Sequence, residues 1–493
     1  MTMPITASTK RITPVGLGRK AALPRRRGFI ADQGLWLIVA AFLLCTALGI
    51  GLNTKLYVGD NLSSARAASA NAQEGGRIFN EAAIAVCLIG LLMAASRTES
   101  FRRSFRVWKN PVVWALAYQA IMAWHYWSND NAWDMARLCG VWLLLMVAMA
   151  SSAPMTLDRY VPKMLLLFRL LLWISLIVGI VLPDNAWMHD YISSFIPGLN
   201  DRFAGIAGHP NSMGAVVGIA VLMELDQFFG DGSKRWLSLV HLLLGSALLL
   251  LTQSKMALLA CAACAVWFLL SRRNRLLRGP VRVVVVATTV VAGALVAWAS
   301  LADWVASNQY NLDDLTGRIG VWQYLWDVAR ERPWFGYGDA LWSQLYLSES
   351  FQYKWAAGNA HNQLLNSFLM TGLVGVGCLV AFVTALFRQR RRIDPNYRAL
   401  FTACLAFLLI RSIAEAGFEP GSLGVAGLLQ TVLIGFCFCL RKPERAALPG
   451  CAARPGLTQM AGTQERAFRA AEYRMRRRLL AFPRRNPIPG KSL

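Results

Sequence analysis

Charge is the first scarcity. Only 16% of the 493 residues are Asp, Glu, Lys or Arg, against about 25% in an ordinary soluble domain. With 56% of the chain hydrophobic, there is too little polar surface to keep it dissolved, which excludes a cytosolic globular enzyme. Paired cysteines are missing too. Nine of the ten Cys lie in or beside apolar runs and Cys451 lies near the C-terminus, so no extracytoplasmic stretch holds a disulfide framework. Cys261-Ala-Ala-Cys264 has redox spacing, but it is embedded in LLACAACAVWFLL and reads as small residues packing between helices. Ionisable groups near a bilayer midplane, beside broken helices, are also wanting, which argues against an ion-coupled pump.

Long apolar runs are what the chain has instead. Runs of roughly 17–25 residues suit a bilayer crossing, and twelve occur, at 34–52, 78–95, 111–127, 137–153, 163–182, 212–229, 236–252, 256–270, 281–300, 361–386, 399–413 and 422–440. With the N-terminus inside, 39 of the 51 Lys and Arg fall in cytoplasmic segments, 11 fall on the opposite side, and Arg169 lies within a span. That asymmetry is the positive-inside pattern, and a miscounted span would scramble it. The net charge of +24 therefore belongs to the inner membrane face, with lipids rather than nucleic acid as its partner.

The reading is an all-α polytopic membrane protein with about 12 transmembrane helices and a long, helical extracytoplasmic loop between spans 9 and 10. Residues 1–33 form a basic cytoplasmic N-terminus, 34–440 the membrane domain with its loop 301–360, and 441–493 a basic cytoplasmic tail. Arg26-Arg27 resembles a twin-arginine signal, but the apolar run behind it has no small-residue cleavage site and reads as an uncleaved first helix. In the tail, Phe468, Ala471, Met475, Leu479 and Phe482 recur at helical spacing among arginines. They suit a helix lying on an anionic leaflet, with a disordered basic tail as the alternative. Glu224, His241 and Arg169 are expected near cytoplasmic span ends and His125 near an outer one, where side chains snorkel.

The long loop carries four Lys/Arg against seven Asp/Glu between 302 and 360, so Arg318 is not there through bulk charge. The segment DDLTGRIGVWQYLWDVARERP predicts an amphipathic helix capped by Thr316 and ended by Pro333. Leu315, Ile319, Trp322, Leu325 and Trp326 would line one side, and Arg318 would sit in the first turn, which favours an anion. Trp334-Phe335-Gly336-Tyr337-Gly338 predicts a turn whose glycines allow close backbone approach. Thirteen aromatics lie between Trp304 and Trp355, suited either to stacking on sugar rings or to an interfacial belt on the bilayer.

Arg202 precedes His209-Pro210-Asn211 at the mouth of the sixth span, and His361-Asn362 opens the tenth. Singly, such residues are usually lipid anchors or helix-end groups. Together, two arginines, two histidines and two asparagines map to one membrane face. Such a set can clamp a diphosphate with guanidinium groups and offer an imidazole as proton acceptor.

At these positions the chain resembles the O-antigen ligase and O-antigen/exopolysaccharide polymerase superfamily. The resemblance lies in Arg202-Phe203-Ala204-Gly205 running to His209-Pro210-Asn211, then Thr252-Gln253-Ser254-Lys255, then Leu315-Thr316-Gly317-Arg318 leading through Trp322 to Arg332-Pro333-Trp334-Phe335-Gly336-Tyr337-Gly338, and finally His361-Asn362 followed nine residues later by Gly372-Leu373-Val374-Gly375. It covers roughly 200 to 390. It implies a bacterial inner-membrane glycosyltransferase of GT-C-like architecture, metal-independent and without cofactor, with its active site on the periplasmic side. The donor would be a glycan on undecaprenyl diphosphate, and a chain-length regulator is a candidate partner. By carry-over, Arg202 and Arg318 would hold the diphosphate and His361 would activate the acceptor hydroxyl or orient the reacting groups. His209, Asn211, Lys255, Tyr337 and Asn362 are the candidate substrate contacts. Lys255 stands where the family often has arginine, and lysine lacks the planar two-pronged grip.

The expected reaction is en bloc transfer that polymerises exopolysaccharide or O-antigen repeat units. The outer loops hold no Asp-x-Asp pair for a metal-bound nucleotide sugar, since Asp313 and Asp314 are adjacent. A ligase delivering the glycan to lipid A–core is the alternative with the same donor. A lipid-linked oligosaccharide flippase is the alternative from another class, and it would need cations lining a central cavity.

Overall fold

The computed structural model describes residues 110–128, 155–189, 199–230, 235–271, 318–348, 359–417 and 425–439, with residues 196 and 351. The expected spans at 34–52, 78–95, 137–153 and 281–300, the Thr316 cap and both basic termini lie outside these residues.

The described residues are almost entirely helical: α1 (Pro111–Ser128), α2 (Leu157–Val181), α3 (Pro210–Phe228), α4 (Arg235–Leu251), α5 (Lys255–Ser271), α6 (Arg318–Glu331), α7 (Ala340–Leu347), α8 (Gln363–Gln389), α9 (Pro395–Arg411) and α10 (Val425–Phe438). Eight of the twelve expected spans fall on these helices. Their apolar residues split into two sets. One packs inward; the other faces out, as Leu166, Leu170, Trp173, Ile177 and Ile180 do along α2 and Trp236, Leu239, Val240 and Leu243 along α4. Exposed apolar stripes at helical spacing suit a bundle solvated by lipid rather than water. Among the described residues, two helical stretches are long and apolar enough to cross a membrane outright, Leu157–Val181 and Gln363–Arg392.

Helix α3 is the axis of the bundle. All but one of its first seventeen residues, Ser212, are buried, because α2, α4, α5, α9 and α10 all pack against it. Pro210 at its first position and His209 as its cap explain where it begins: the His209 Nδ1 accepts the Asn211 backbone N–H at 3.1 Å. The chain then reverses between helices at short turns, so the C-terminal ends of α2, α4 and α9 lie with the N-terminal ends of α3, α5 and α8.

Two spans depart from expectation. Helix α2 begins at Leu157, not 163, and carries Pro162 at its sixth position, where proline removes one i→i−4 hydrogen bond near the helix start. Helix α8 and the turn after it run to Arg392, about 45 Å at 1.5 Å per residue, too long for one upright crossing. It is two helices: Gly372, at φ +65 and ψ −167, breaks the run. The nine residues Gln363–Thr371 are mostly buried, while Leu373, Val374 and Val380 beyond the break are exposed and apolar.

The break has a cause. The Trp334–Gly338 turn is docked into it by four backbone hydrogen bonds: Leu373 N–H to Pro333 O at 2.7 Å, Val374 N–H to Trp334 O at 3.2 Å, Tyr337 N–H to Leu369 O at 2.8 Å and Gly338 N–H to Met370 O at 3.0 Å. A Cβ on Gly372 would overlap the backbone of Trp334, and one on Gly336 the carbonyl of Leu369. Both glycines also hold positive φ, which side chains resist.

The loop helix α6 is present, ending at Glu331 just before Pro333, but its inward face differs from the expected one. Val321, Leu325 and Ala329 are buried, whereas Trp326 is half exposed and stands against Phe368 at the flank. The small residues face α8 because they permit close approach, and the tryptophans are displaced to the sides.

Arg169 and Glu224 also correct the sequence reading. They do not snorkel; they pair inside the bundle, Nε to Oε1 at 2.5 Å and Nη2 to Oε2 at 2.8 Å, with Ser238 Oγ accepting a third contact at 3.2 Å. His241 is likewise engaged, taking a hydrogen bond from Trp173 Nε1 at 3.2 Å. His125 ends α1 against the aromatic turn, its Nε2 2.8 Å from Phe335 O.

Candidate functional site

At one end of the bundle, four segments close on a single buried carboxylate, Glu415, four residues beyond the similarly buried Arg411, where α9 stops with Ser412 at its C-cap. Asn211, in the first turn of α3, donates Nδ2–H to Glu415 Oε1 at 2.6 Å. Arg318, at the first position of α6, donates Nη1–H to Ala414 O at 2.9 Å and places Nη2 3.4 Å from the same Oε1. The other oxygen, Oε2, faces His361 Nδ1 at 3.7 Å. Arg411 reaches back to α3 and donates to Asn211 O at 3.0 Å.

Arg202 joins through Asn211. It sits in β2 (Arg202–Phe203), a two-residue strand paired with β1 (Trp187–Met188). Its side chain is only 7% exposed; Nη2 donates to Asn211 Oδ1 at 2.7 Å and Nε to Thr252 O at 3.0 Å. Thr252 belongs to the tight reversal between α4 and α5. There Gln253, at φ +49, sends its amide to the carbonyls of Leu199 and Asp201. Lys255 opens α5 three residues beyond the carbonyl that Arg202 grips.

His361 is the second residue held this way. Gln253 and His361 are the two non-glycine residues with positive φ among those described. Such a conformation costs about 1–3 kcal/mol and persists where surroundings over-determine it. Around His361 they do. Asn359 Oδ1 accepts the His361 N–H, Ala360 N–H is taken by Asn366 Oδ1, and Trp322 Nε1–H of α6 is taken by Ala360 O. Asn362 caps α8 through the Leu365 N–H and donates Nδ2–H to Ile413 O.

The electrostatics follow from this packing. Burial alone would raise the Glu415 carboxyl, but the His361 contact and the charges of Arg411 and Arg318 outweigh it and hold the group below its ordinary value. Glu415 is therefore ionised. At His209, crowding by surrounding protein and then the Arg202 charge push the imidazole down to about 4, which agrees with a neutral ring whose Nδ1 lone pair serves as a cap. Two guanidinium groups, Arg411 and Arg318, act on the one carboxylate, and a third, Arg202, is joined to it through Asn211, leaving positive charge in excess.

Of the eight residues singled out from sequence, Arg202, His209, Asn211, Arg318, His361 and Asn362 come together, with Lys255 on the adjoining turn. Tyr337 does not. It lies at the opposite end of α6, giving its hydroxyl hydrogen to Glu331 at 2.8 Å. The hub itself, Glu415, was not singled out, nor was Arg411. Their signal is an acid four residues after a base at the end of an apolar run.

A family model described as O-antigen ligase matches residues 240–380. Over that segment, less than a third of its length, the chain is similar to the O-antigen ligase family. The matched O-antigen ligase segment runs from α4 into α8 and includes Lys255, Arg318, His361 and Asn362. Arg202, Asn211, Arg411 and Glu415 lie outside it and join it in space. No curated protein matches the chain.

Proposed function

We propose that this protein is a glycosyltransferase of the periplasmic membrane face that moves a glycan en bloc from undecaprenyl diphosphate onto a second lipid-linked repeat unit. The reading polymerises exopolysaccharide or O-antigen. What supports it most is the convergence of Arg202, Arg318, Arg411 and His361 about Glu415 at one end of the bundle.

In this reading the diphosphate sits against the guanidinium groups. Arg318, 23% exposed along its side chain, makes the direct grip, and buried Arg202 adds charge at close range. Glu415 favours a proton on the His361 Nδ1, leaving Nε2 as the base. The acceptor hydroxyl gives its proton to Nε2 as its oxygen bonds to the anomeric carbon. The bond from that carbon to the diphosphate oxygen breaks on the opposite face, so configuration inverts. The departing undecaprenyl diphosphate carries the electron pair, and its growing charge is met by arginine rather than by a metal. A positioned base contributes about 10²–10⁴-fold. Glycan delivery to lipid A–core would use the same groups with a different acceptor.

The test is the lipid-linked species that accumulates in cells carrying His361→Ala. Single repeats on undecaprenyl diphosphate at the outer leaflet are expected. Retention at the inner leaflet would indicate a flippase, and accumulation of long lipid-linked polymer would indicate a ligase.

A further inference from the structure

The Trp334–Gly338 turn does more than wedge open α8. Between it, the end of α1 and the start of α7 lies a cleft of about 360 Å³, within the range of roughly 300–1,000 Å³ that small-molecule sites occupy. Its lining pairs flat apolar faces with planar polar edges. Trp334 is 64% exposed, Trp124 and Phe335 about half, and these last two meet edge to face at 5.4 Å. Around them stand the Arg332 guanidinium, 4.6 Å above the Tyr337 ring, and the open amide of Gln344.

The surface is built, not draped. His125 fixes the Phe335 carbonyl, four backbone bonds fix the turn to α8, and a Cβ on Gly338 would come within 2.7 Å of His125. Aromatic side chains presented on such a frame lose little freedom on binding. A lipid tail would gain from the rings but leave Arg332 and Gln344 unanswered. A sugar offers both an apolar ring face and a rim of hydroxyls.

Its distance from the carboxylate hub also matters. Helix α8 runs seven steps from Gln363, just after His361, to Met370, and α6 spans fourteen residues from Arg318 to Glu331, giving roughly 10–20 Å at 1.5 Å per residue. A saccharide in the cleft is therefore not the unit that reacts, but one farther along the same chain.

We propose that this cleft is a subsite for a saccharide segment of the glycan, distinct from the transfer centre and stacking chiefly on Trp334. The assignment rests on the glycan-transfer reading but is tested without it. The probe is the oligosaccharide of two repeat units from the host strain, cleaved from its lipid diphosphate by mild acid. Its binding to the full-length protein in nanodiscs is measured by calorimetry. Trp334→Ala and, independently, Trp124→Ala should each weaken binding about tenfold, with Trp334→Phe near the parent. Arg318→Lys should abolish glycan transfer yet bind the oligosaccharide as the parent does. No binding by the parent, or parental binding by both alanine variants, overturns the subsite. Full transfer by Arg318→Lys would instead count against the transfer centre and leave the subsite standing.

Discussion

His361 Nδ1 and Glu415 Oε2 face each other at 3.7 Å, although 54 positions separate the residues in sequence. The pairing depends on a loop residue held at positive φ on one side and a buried carboxylate gathered by two other helices on the other. Glu415→Gln keeps the shape and the Asn211 and Arg318 contacts within reach, but it removes the charge that orients the imidazole. Transfer should fall by about 10²–10⁴-fold while the protein still inserts and purifies normally. A rate assay with lipid-linked donor reads this, and near-parental turnover would remove Glu415 from the mechanism.

The same carboxylate sets a pH dependence of stability. Its folded pKa lies below the ordinary 4.5, so the folded state binds fewer protons than the unfolded chain in that interval. The stabilisation is complete above pH 4.5 and is lost as pH falls through the lowered value. Thermal unfolding of the parent and Glu415→Gln should differ by a constant amount above pH 5 and converge in more acid buffers. A gap that widens on acidification would contradict the assignment.

Gly372→Ala should damage the fold more than any ordinary surface change. The added Cβ meets the Trp334 backbone, and the residue is held at positive φ. Several kcal/mol of destabilisation is expected, of the order of 3 or more, visible as a lowered melting temperature and protease cleavage near residue 334. Gly377→Ala, which meets nothing within 4 Å, is the matched control and should be nearly silent.

The Arg169–Glu224 pair predicts a non-additive cycle. Removing one partner, as in Arg169→Met or Glu224→Leu, strands a charge in an apolar bundle and should cost about 3–5 kcal/mol. Removing both should cost much less. Unfolding measurements on the three variants read the coupling, and additive losses would mean that the pair is solvated.

Eight helices were legible because a bilayer demands long apolar runs, and the charge asymmetry put Arg202, Arg318 and His361 on one face, which matches their meeting at one end of the bundle. Glu415 was not legible, since a lone acid past a span end looks like any interfacial residue until three other segments fold onto it. Arg169 and Glu224 escaped for the same reason: 55 positions separate them, and only packing shows that each answers the other. The face of α6 was misread because hydropathy favours burying Trp326, whereas close helix approach favours Val321 and Ala329. Tyr337 was grouped with the candidate substrate contacts by its motif, but the docking of that motif at Gly372 carries it away from the others.

The short buried rod from Gln363 to Thr371 has the imidazole at its head and the aromatic turn bolted to its foot. Because a helix of nine residues scarcely stretches, any tug on the foot must be felt at the head. Displacement of the aromatic turn and placement of the His361 ring are thereby geared to one lever.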